Sequence, residues 1–552
     1  MQLNPVHLKV AGLLKDRLFR IPEYQRAYSW TSRQRADLFN DIVEAHRSGR
    51  EHFMATVVTL LKTTRSINAD EYREVELVDG QQRLTSLIIL LKAIEKALVD
   101  EIEKKLRTEI ADLLVKSDSH SLLLLQTNHD TSNVFTTYVR SGQIEQSLAQ
   151  TYADQNLINA ATESEAFVQE WSQNKTLIEL IATIRNRLSV IYHELNDEAT
   201  VYRVFEVLNS RGLDVKWIDK LKSQLMALIF EHVEGGTRKE AINEMQVIWQ
   251  IIYRTLGLEV SLGDEALRFA GTWVFAPKPN RILSQEEAAA ALTQHAGTKL
   301  KDITVCATWL KTVVLATHEL DRNIRLKAVT RILHARFLAI AIILRKFDTE
   351  AQDDLLKQWE KTTFRIFGLG GADTRYKVGE YVRLAYEIIT TPVSAQEVMA
   401  SIKSLGKGFD IDEVIKNGNW FESYDGWTEE LRYVLYRYDE DLALKAGEKV
   451  NTSQWNKIWS DDPAKSIEHI QPQSSEVRYI HHLGNLTMLP PGVNSSLKDK
   501  PPKKKASTYK SCGLRGTAAV GSSIEDRALW NEKTALARAD EILKFVAREW
   551  AD

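Results

Sequence analysis

The run YREVELV at 72–78 passes without a spacer into Asp79-Gly80-Gln81-Gln82-Arg83, and then, after Leu84, into the mostly apolar TSLIILLKAIEKAL. Alternation over the first run reads as a strand, and the second run has helical periodicity extending over 85–106. A glycine between them permits a tight turn. The pentapeptide therefore lies at a strand-to-helix junction. FMATVVTLL (53–61) and NRLSVIYHEL (186–195) supply further strands, and RLFRIPEYQRAYSW (17–30) reads as a strand and turn. Helix-like sequence fills 33–48, 198–209 and 215–233.

The chain has 552 residues, enough for several domains and a large core. Three zones are expected: 1–230, where strands and helices mix; 231–440, mostly amphipathic helix; and 441–552, with short strands, prolines and a basic run. GLGGAD (368–373) does not follow a convincing strand and reads as a helix–helix turn, and Trp455 and Trp459, one helical turn apart, read as packing. The formal net charge of −3 excludes a uniformly basic nucleic-acid coat, but leaves room for a local patch. Two cysteines 206 positions apart exclude a cysteine-based zinc site or disulfide scaffold, and their scarcity fits a reducing cytoplasm. The longest apolar run, Phe337 to Leu344, is too short to span a bilayer, so no membrane partner is expected.

Chemistry concentrates at the two ends. Near the C-terminus, Glu468 and His469 stand on a short strand closed by Pro472. Asn485 follows His469 by sixteen positions, and Asn494 follows by nine more. A strand, a loop, a second strand and a helix fit this spacing. Such an arrangement brings an imidazole and a few oxygen donors to one point. Phosphodiester hydrolysis uses that set: a neutral histidine takes the proton of water, and a divalent cation such as Mg²⁺ or Mn²⁺ offsets charge on the phosphate. Seven cations and one acid lie between Lys498 and Arg515. Lys498, Lys503, Lys504 and Lys505 are the candidates for contact with a DNA backbone. A lone EHI tripeptide is more often a hydrogen-bonded strand histidine; the GNL, the later asparagine and the basic run together raise its significance.

In the first zone, the helix start after Gly80 offers free N–H groups to an anion. Arg83 can hold a phosphate, Asp79 can orient a cation or water, and Arg26 in YQRAY is a second phosphate candidate. No GxxxxGK[ST] pattern occurs, so a P-loop is excluded.

The C-terminal segment resembles the HNH (His-Me finger) nucleases. It looks most like the C-terminal domain of GmrSD-type, type IV modification-dependent restriction enzymes, with EHIxP, LGNL and a following Asn. IPEYQRAYSW, VDGQQRLTSL and FEVLNSRGLDVKWIDKLKSQL resemble the N-terminal domain of the same family, in family order. The resemblance covers about 10–230 and 440–550. It implies an α+β, multidomain chain: a ParB/sulfiredoxin-like nucleotide-binding domain (1–230), a helical linking region (231–440) and a ββα-metal HNH nuclease domain (441–552). By the same resemblance His469 is the general base, Asn485 orders the loop, and Asn494 lies near the metal, with Glu468 a weaker ligand. Asp79, Gly80, Gln82 and Arg83 form the nucleotide site with Arg26 nearby, and Asn209 and Arg211 lie close to it. His481 and His482 are read as loop histidines with a DNA-facing role open to them.

The implied activity is cutting or nicking of phage DNA according to its modification state, regulated by hydrolysis of GTP or ATP. The implied partners are modified double-stranded DNA, a nucleoside triphosphate and, as an open possibility, a second copy of the chain. The competing reading is a DNA-binding regulator whose HNH-like end holds DNA without cutting it.

Overall fold

The computed structural model describes all residues except 1–4, 23–24, 26, 68–69, 101–102, 117–122, 128–132, 196–215, 258, 276–277, 330, 461, 528 and 552. Arg26, Asn209, Arg211 and the stretch 198–209 therefore lie outside the described residues. The chain is mixed α/β and mostly helical. It divides into two compact units, Met1–Phe275 with Leu283–His318, and Ala276–Ile282 with Glu319–Asp552.

The first unit is built on a six-stranded mixed sheet. Its strands are β1 (Val6–Lys9), β2 (Arg17–Arg20), β3 (His52–Ile67), β4 (Asp70–Asp79), β5 (Leu125–Gln126) and β6 (Leu188–Leu195), in the order β1-β6-β3-β4-β2-β5. β3 and β4 are antiparallel neighbours, whereas β2 runs parallel to β4 and β3 parallel to β6. Period-two alternation explains the use of β4: Val75 and Leu77 are buried, while Glu74 and Glu76 meet Arg65 and Lys62 across the β3 pair.

Helix α1 (Ser32–Ser48) opens with a capping box in which Thr31 and Gln34 satisfy each other's backbone donors. Helix α2 (Gln81–Ala97) is buried nearly all round and its apolar residues sit in the core with Phe19, Leu77 and Leu180, while its buried Lys92 and Glu95 pair with each other. The single helical stretch expected over 85–106 is corrected here: α2 stops at Ala97, Val99 is exposed, and a separate helix covers Lys104–Leu114. Periodicity continued in the sequence after the buried environment had ended. Helix α3 (Trp217–His232) is the described part of the third N-terminal motif.

The described residues of 231–440 are helices and turns, shared between the two units. The apolar run at 337–344 lies in the buried helix Leu333–Arg345. No helix among the described residues is long and apolar enough to cross a membrane. At GLGGAD the chain forms a π-helical turn, Phe364–Leu369, and a Cβ on Gly370 would stand 2.4 Å from the Phe409 ring. The glycine is needed for close packing rather than for a phosphate. Trp455 is buried against Trp459, as the helical spacing suggested.

The second unit surrounds a small antiparallel pair, β7 (Ile467–His469) and β8 (Leu486–Met488), in the register His469↔Leu486. Helices α4 (Pro491–Leu497) and α5 (Pro502–Ser511) follow, each begun by a proline at its first turn, and α6 (Glu532–Glu549) closes the chain. Strand, loop, strand and helix thus occur in the order that the residue spacing required.

Candidate functional site

His469 ends β7 and is 6% exposed. Its Nε2 lies 3.1 Å from Nδ1 of His481 and 3.4 Å from the Gln473 amide nitrogen. The Tyr424 ring stands edge-on to it at 4.7 Å and stacks on His481 at 5.3 Å. Burial, then the neighbouring His481 and Lys505, push the His469 imidazole down to about 3. It is neutral near pH 7, the form that accepts a proton.

Asn485 is fully buried and its amide is committed to the loop between the strands. Gln471 N–H and Trp530 Nε1–H donate to its Oδ1 at 2.8 and 3.1 Å, and its Nδ2 donates to the carbonyls of Gln471 and Ile480. This is the loop-ordering role expected of the middle Asn, and it leaves Asn485 no atom for a reacting group. The preceding glycine has an equally physical cause. A Cβ on Gly484 would lie 1.8 Å from the Ala535 carbonyl oxygen of α6, so the loop backbone rests directly on that helix. Arg538 of α6 donates from Nη1 to the carbonyls of Gly484 and Leu486. His482 is buried, accepts from Gly484 N–H and meets the edge of Phe421. A DNA-facing role is therefore withdrawn for His482; its polarity serves the loop.

Asn494 sits on α4 and donates from Nδ2 to the carbonyls of Lys465 and Ile467, which pins the helix to the outer edge of β7. Its Oδ1 accepts no hydrogen bond among the described residues. Glu468 is separated from His469 because adjacent strand residues point to opposite faces. Its Oε1 is 2.6 Å from both Lys505 Nζ and Tyr509 OH. Burial pushes the Glu468 carboxyl up and Lys505 opposes that shift. A carboxylate already met by an ammonium is a poor cation ligand, so the expected pairing of Glu468 with Asn494 around a metal is not formed. No group of three or more His, Cys, Asp and Glu side chains converges as a cation cage among the described residues. One unshared amide oxygen suits a hard cation that keeps most of its own waters, as Mg²⁺ does.

The basic run is not one surface. Lys505 is 1% exposed and donates to the His469 carbonyl at 2.7 Å besides pairing Glu468. It is an internal brace and is corrected from the DNA-facing set: helical periodicity turns it inward, while its neighbours Lys503 and Lys504 are exposed. Lys510 pairs Glu525, and Arg515 pairs Glu448. Lys498, Lys500, Lys503 and Lys504 remain exposed with no acidic partner among the described residues.

In the first unit, Gly80 has φ +93, and a Cβ there would approach Val57 to 3.1 Å. It turns the chain from β4 into α2, in whose first turn Gln81 and Gln82 are buried and Arg83 is exposed. Gln82 is buried and clamps the loop opposite: it accepts from Ser29 N–H at 2.8 Å and donates to the Ala27 carbonyl at 3.1 Å. Gln81 donates to Gln25, which in turn donates to the Val78 carbonyl, and Lys222 of α3 donates to the Gln25 carbonyl. Three motifs far apart in sequence thus meet at Gln25. Neither Gln25 nor Lys222 was singled out from sequence; the shared presence of polar residues in all three motifs was the available signal. Arg83 is exposed, with its guanidinium 5.8 Å from the Trp30 ring. Asp79, half-buried, ends β4 beside it. The 27–29 loop also borders an open cleft of about 90 Å³, lined further by Lys216, Asp219, Tyr253 and Arg254.

The sequence profile of the GmrSD restriction endonuclease N-terminal domain matches residues 10–226, and that of the GmrSD restriction endonuclease C-terminal domain matches 409–545. The chain belongs to the GmrSD restriction endonuclease family. As a GmrSD enzyme it is a DNA endonuclease of restriction, and DNA is its substrate. The N-terminal match encloses the convergence at Gln25, except for the end of α3, and the C-terminal match encloses the whole His469 assembly, including Tyr424 and Arg538. No curated protein matches the chain.

Proposed function

We propose that this GmrSD chain is a metal-dependent HNH (His-Me finger) endonuclease regulated by a nucleoside triphosphate, and that it cuts or nicks phage DNA according to its modification. The observation that carries the reading is the neutral, buried His469 at the end of the first strand of a strand–loop–strand–helix unit, with Asn494 fixed on the helix behind it. That order is the one a ββα nuclease uses. His469 takes the proton of a water whose oxygen bonds to phosphorus, and the bond from phosphorus to the leaving sugar oxygen breaks. Mg²⁺ or Mn²⁺, held in part by Asn494 Oδ1, would supply charge stabilisation for the phosphate and leaving oxygen. Asn485 keeps the loop in place, and Lys498, Lys503 and Lys504, with Lys500, hold the DNA backbone.

For the first unit we propose a ParB/sulfiredoxin-like nucleotide site. Its support is the strand–Gly80–helix junction, the exposed Arg83 and the adjoining cleft. Asp79 and Arg83 would hold the triphosphate (GTP or ATP) at the start of α2, with Arg26 of the YQRAY motif as a further candidate from the sequence, while Gln82 holds the 27–29 loop.

Plasmid cleavage with Mg²⁺ or Mn²⁺, on modified and unmodified DNA with each triphosphate, tests both parts. His469→Ala is expected to lose about 10²–10⁴-fold in cutting rate and to keep triphosphate hydrolysis, whereas Arg83→Ala loses hydrolysis. Wild-type cutting by His469→Ala would remove the HNH reading.

A further inference from the structure

We infer that His481 is a positioning residue for the proposed base, its Nδ1 accepting a hydrogen bond from His469 Nε2 so that His469 presents Nδ1 to the attacking water. The inference rests on reading His469 as that base.

The two imidazole nitrogens in question are 3.1 Å apart, a hydrogen-bond distance. A neutral imidazole carries one N–H and one lone pair, and the partner of one nitrogen decides which is which. Two arrangements satisfy this contact. In one, His481 Nδ1–H donates to His469 Nε2; the His469 proton then sits on Nδ1, and no lone pair is left for water. In the other, His469 Nε2–H donates to His481 Nδ1, and His469 Nδ1 is free to accept. Only the second is compatible with a base. When Nδ1 takes the proton from water, the proton on Nε2 stays in place, and the resulting imidazolium remains hydrogen-bonded to the His481 lone pair. The Gln473 side chain, 3.4 Å from the same His469 nitrogen, can turn its amide oxygen toward it.

The acceptor is held more firmly than a loop histidine needs to be. The Tyr424 ring lies nearly parallel to the His481 ring, at 14°. The His481 carbonyl accepts from Ser423 N–H at 3.0 Å, and the preceding carbonyl, of Ile480, accepts from Asn485 Nδ2 at 2.9 Å. Tyr424 also meets His469 edge-on, so one tyrosine restricts both rings. Groups that orient a reacting imidazole act through its tautomer and angle, and losing one typically costs about 10- to 100-fold.

The full-length chain is assayed for plasmid cleavage as wild type, His469→Ala, His481→Phe and His481→Asn. Phe retains a ring for Tyr424 but has no acceptor; Asn offers Oδ1 near the position of Nδ1. His481→Phe is expected to lower kcat by about 10- to 100-fold with KM for DNA and melting temperature unchanged, and His481→Asn to recover most of the rate. A His481→Phe enzyme that cuts normally while His469→Ala is dead overturns the positioning role and leaves the base intact. Normal cutting by His469→Ala removes both. A loss confined to KM, or an Asn variant as slow as the Phe one, also overturns the claim. Independently of any variant of His481, histidine-¹⁵N spectra of the wild-type chain, assigned by comparison with His469→Gln, are expected to show His469 protonated at Nε2; protonation at Nδ1 overturns it.

Discussion

At Asp79–Arg83 the motif's glutamines reach partners distant in sequence: Gln82 meets Ala27 and Ser29, Gln81 meets Gln25, and Lys222 returns to Gln25 from 197 positions away. The cation that remains, Arg83, is exposed. Around His469 the pattern is reversed. The partners are mostly within about forty positions, the histidine is buried, and the central cation of the nearby basic run, Lys505, is inside the fold. One region holds a loop still and leaves a charge exposed; the other encloses its histidine and braces it from beneath. A charged residue in a motif therefore has no single meaning: its worth depends on whether its charge is met inside the protein or left for a ligand.

The two cations give the sharpest way to break this contrast. Lys505→Ala leaves Glu468 buried without its ammonium, which is expected to destabilise the chain by about 3–5 kcal/mol. Arg83→Ala removes an exposed side chain and is expected to change stability by no more than about 0.5 kcal/mol. Denaturant titration of both variants measures this, and equal losses would erase the distinction.

Per pH unit, a smaller effect sets the buried histidines apart. His469 is held down at about 3 and His334, buried in the same unit, at about 4. An unfolded chain takes up both protons as pH falls through about 6.5, while the folded chain excludes them until much lower. The stability they contribute is present above about 6.5 and is lost as pH falls toward the folded values, by up to about 1.4 kcal/mol per pH unit for each. Glu468, pushed up by burial, works in the opposite sense: its contribution is present at low pH and lost as pH rises. Melting curves of wild type and His469→Gln across this acid range check the balance; the variant is expected to lose stability less steeply on acidification.

The smallest effect leaves stability alone. Replacing Lys498, Lys500, Lys503 and Lys504 with alanine is expected to reduce the slope of log K against log salt for DNA binding, by up to about 0.9 for each phosphate that is no longer neutralised, without a change in melting temperature. An unchanged slope would make these four lysines a solvated face, and the contrast with Lys505 would then be one of burial only.

Legibility followed the range of the interactions. The turn at Gly80 was readable because a strand period, a glycine and an apolar helix period follow one another directly. The β7–loop–β8–α4 order was readable from the spacing of His469, Asn485 and Asn494. The end of α2 at Ala97 was not, since the periodicity ran on beyond the buried environment. Nor was the commitment of the Glu468 carboxylate, which rests on how α5 brings Lys505 and Tyr509 to its face of a three-residue strand.

The sequence by itself determined most kinds of element and the residues able to carry acid–base or phosphate chemistry, because these are written in local period and residue type, and its motifs carried the family. Only the tertiary structure decided which of those residues have partners. Gly484 is only one letter of the LGNL motif in the sequence, yet it is required by a helix about fifty positions on, whose Ala535 carbonyl would lie 1.8 Å from a Cβ. His481 reads as one of two equivalent loop histidines, yet it faces His469 while His482 caps its own loop. Lys505 reads as one of a row, yet it is the one turned inward. Burial and hydrogen-bond pairing are properties of chain segments brought together in space, and no period within one segment encodes what another will place against it.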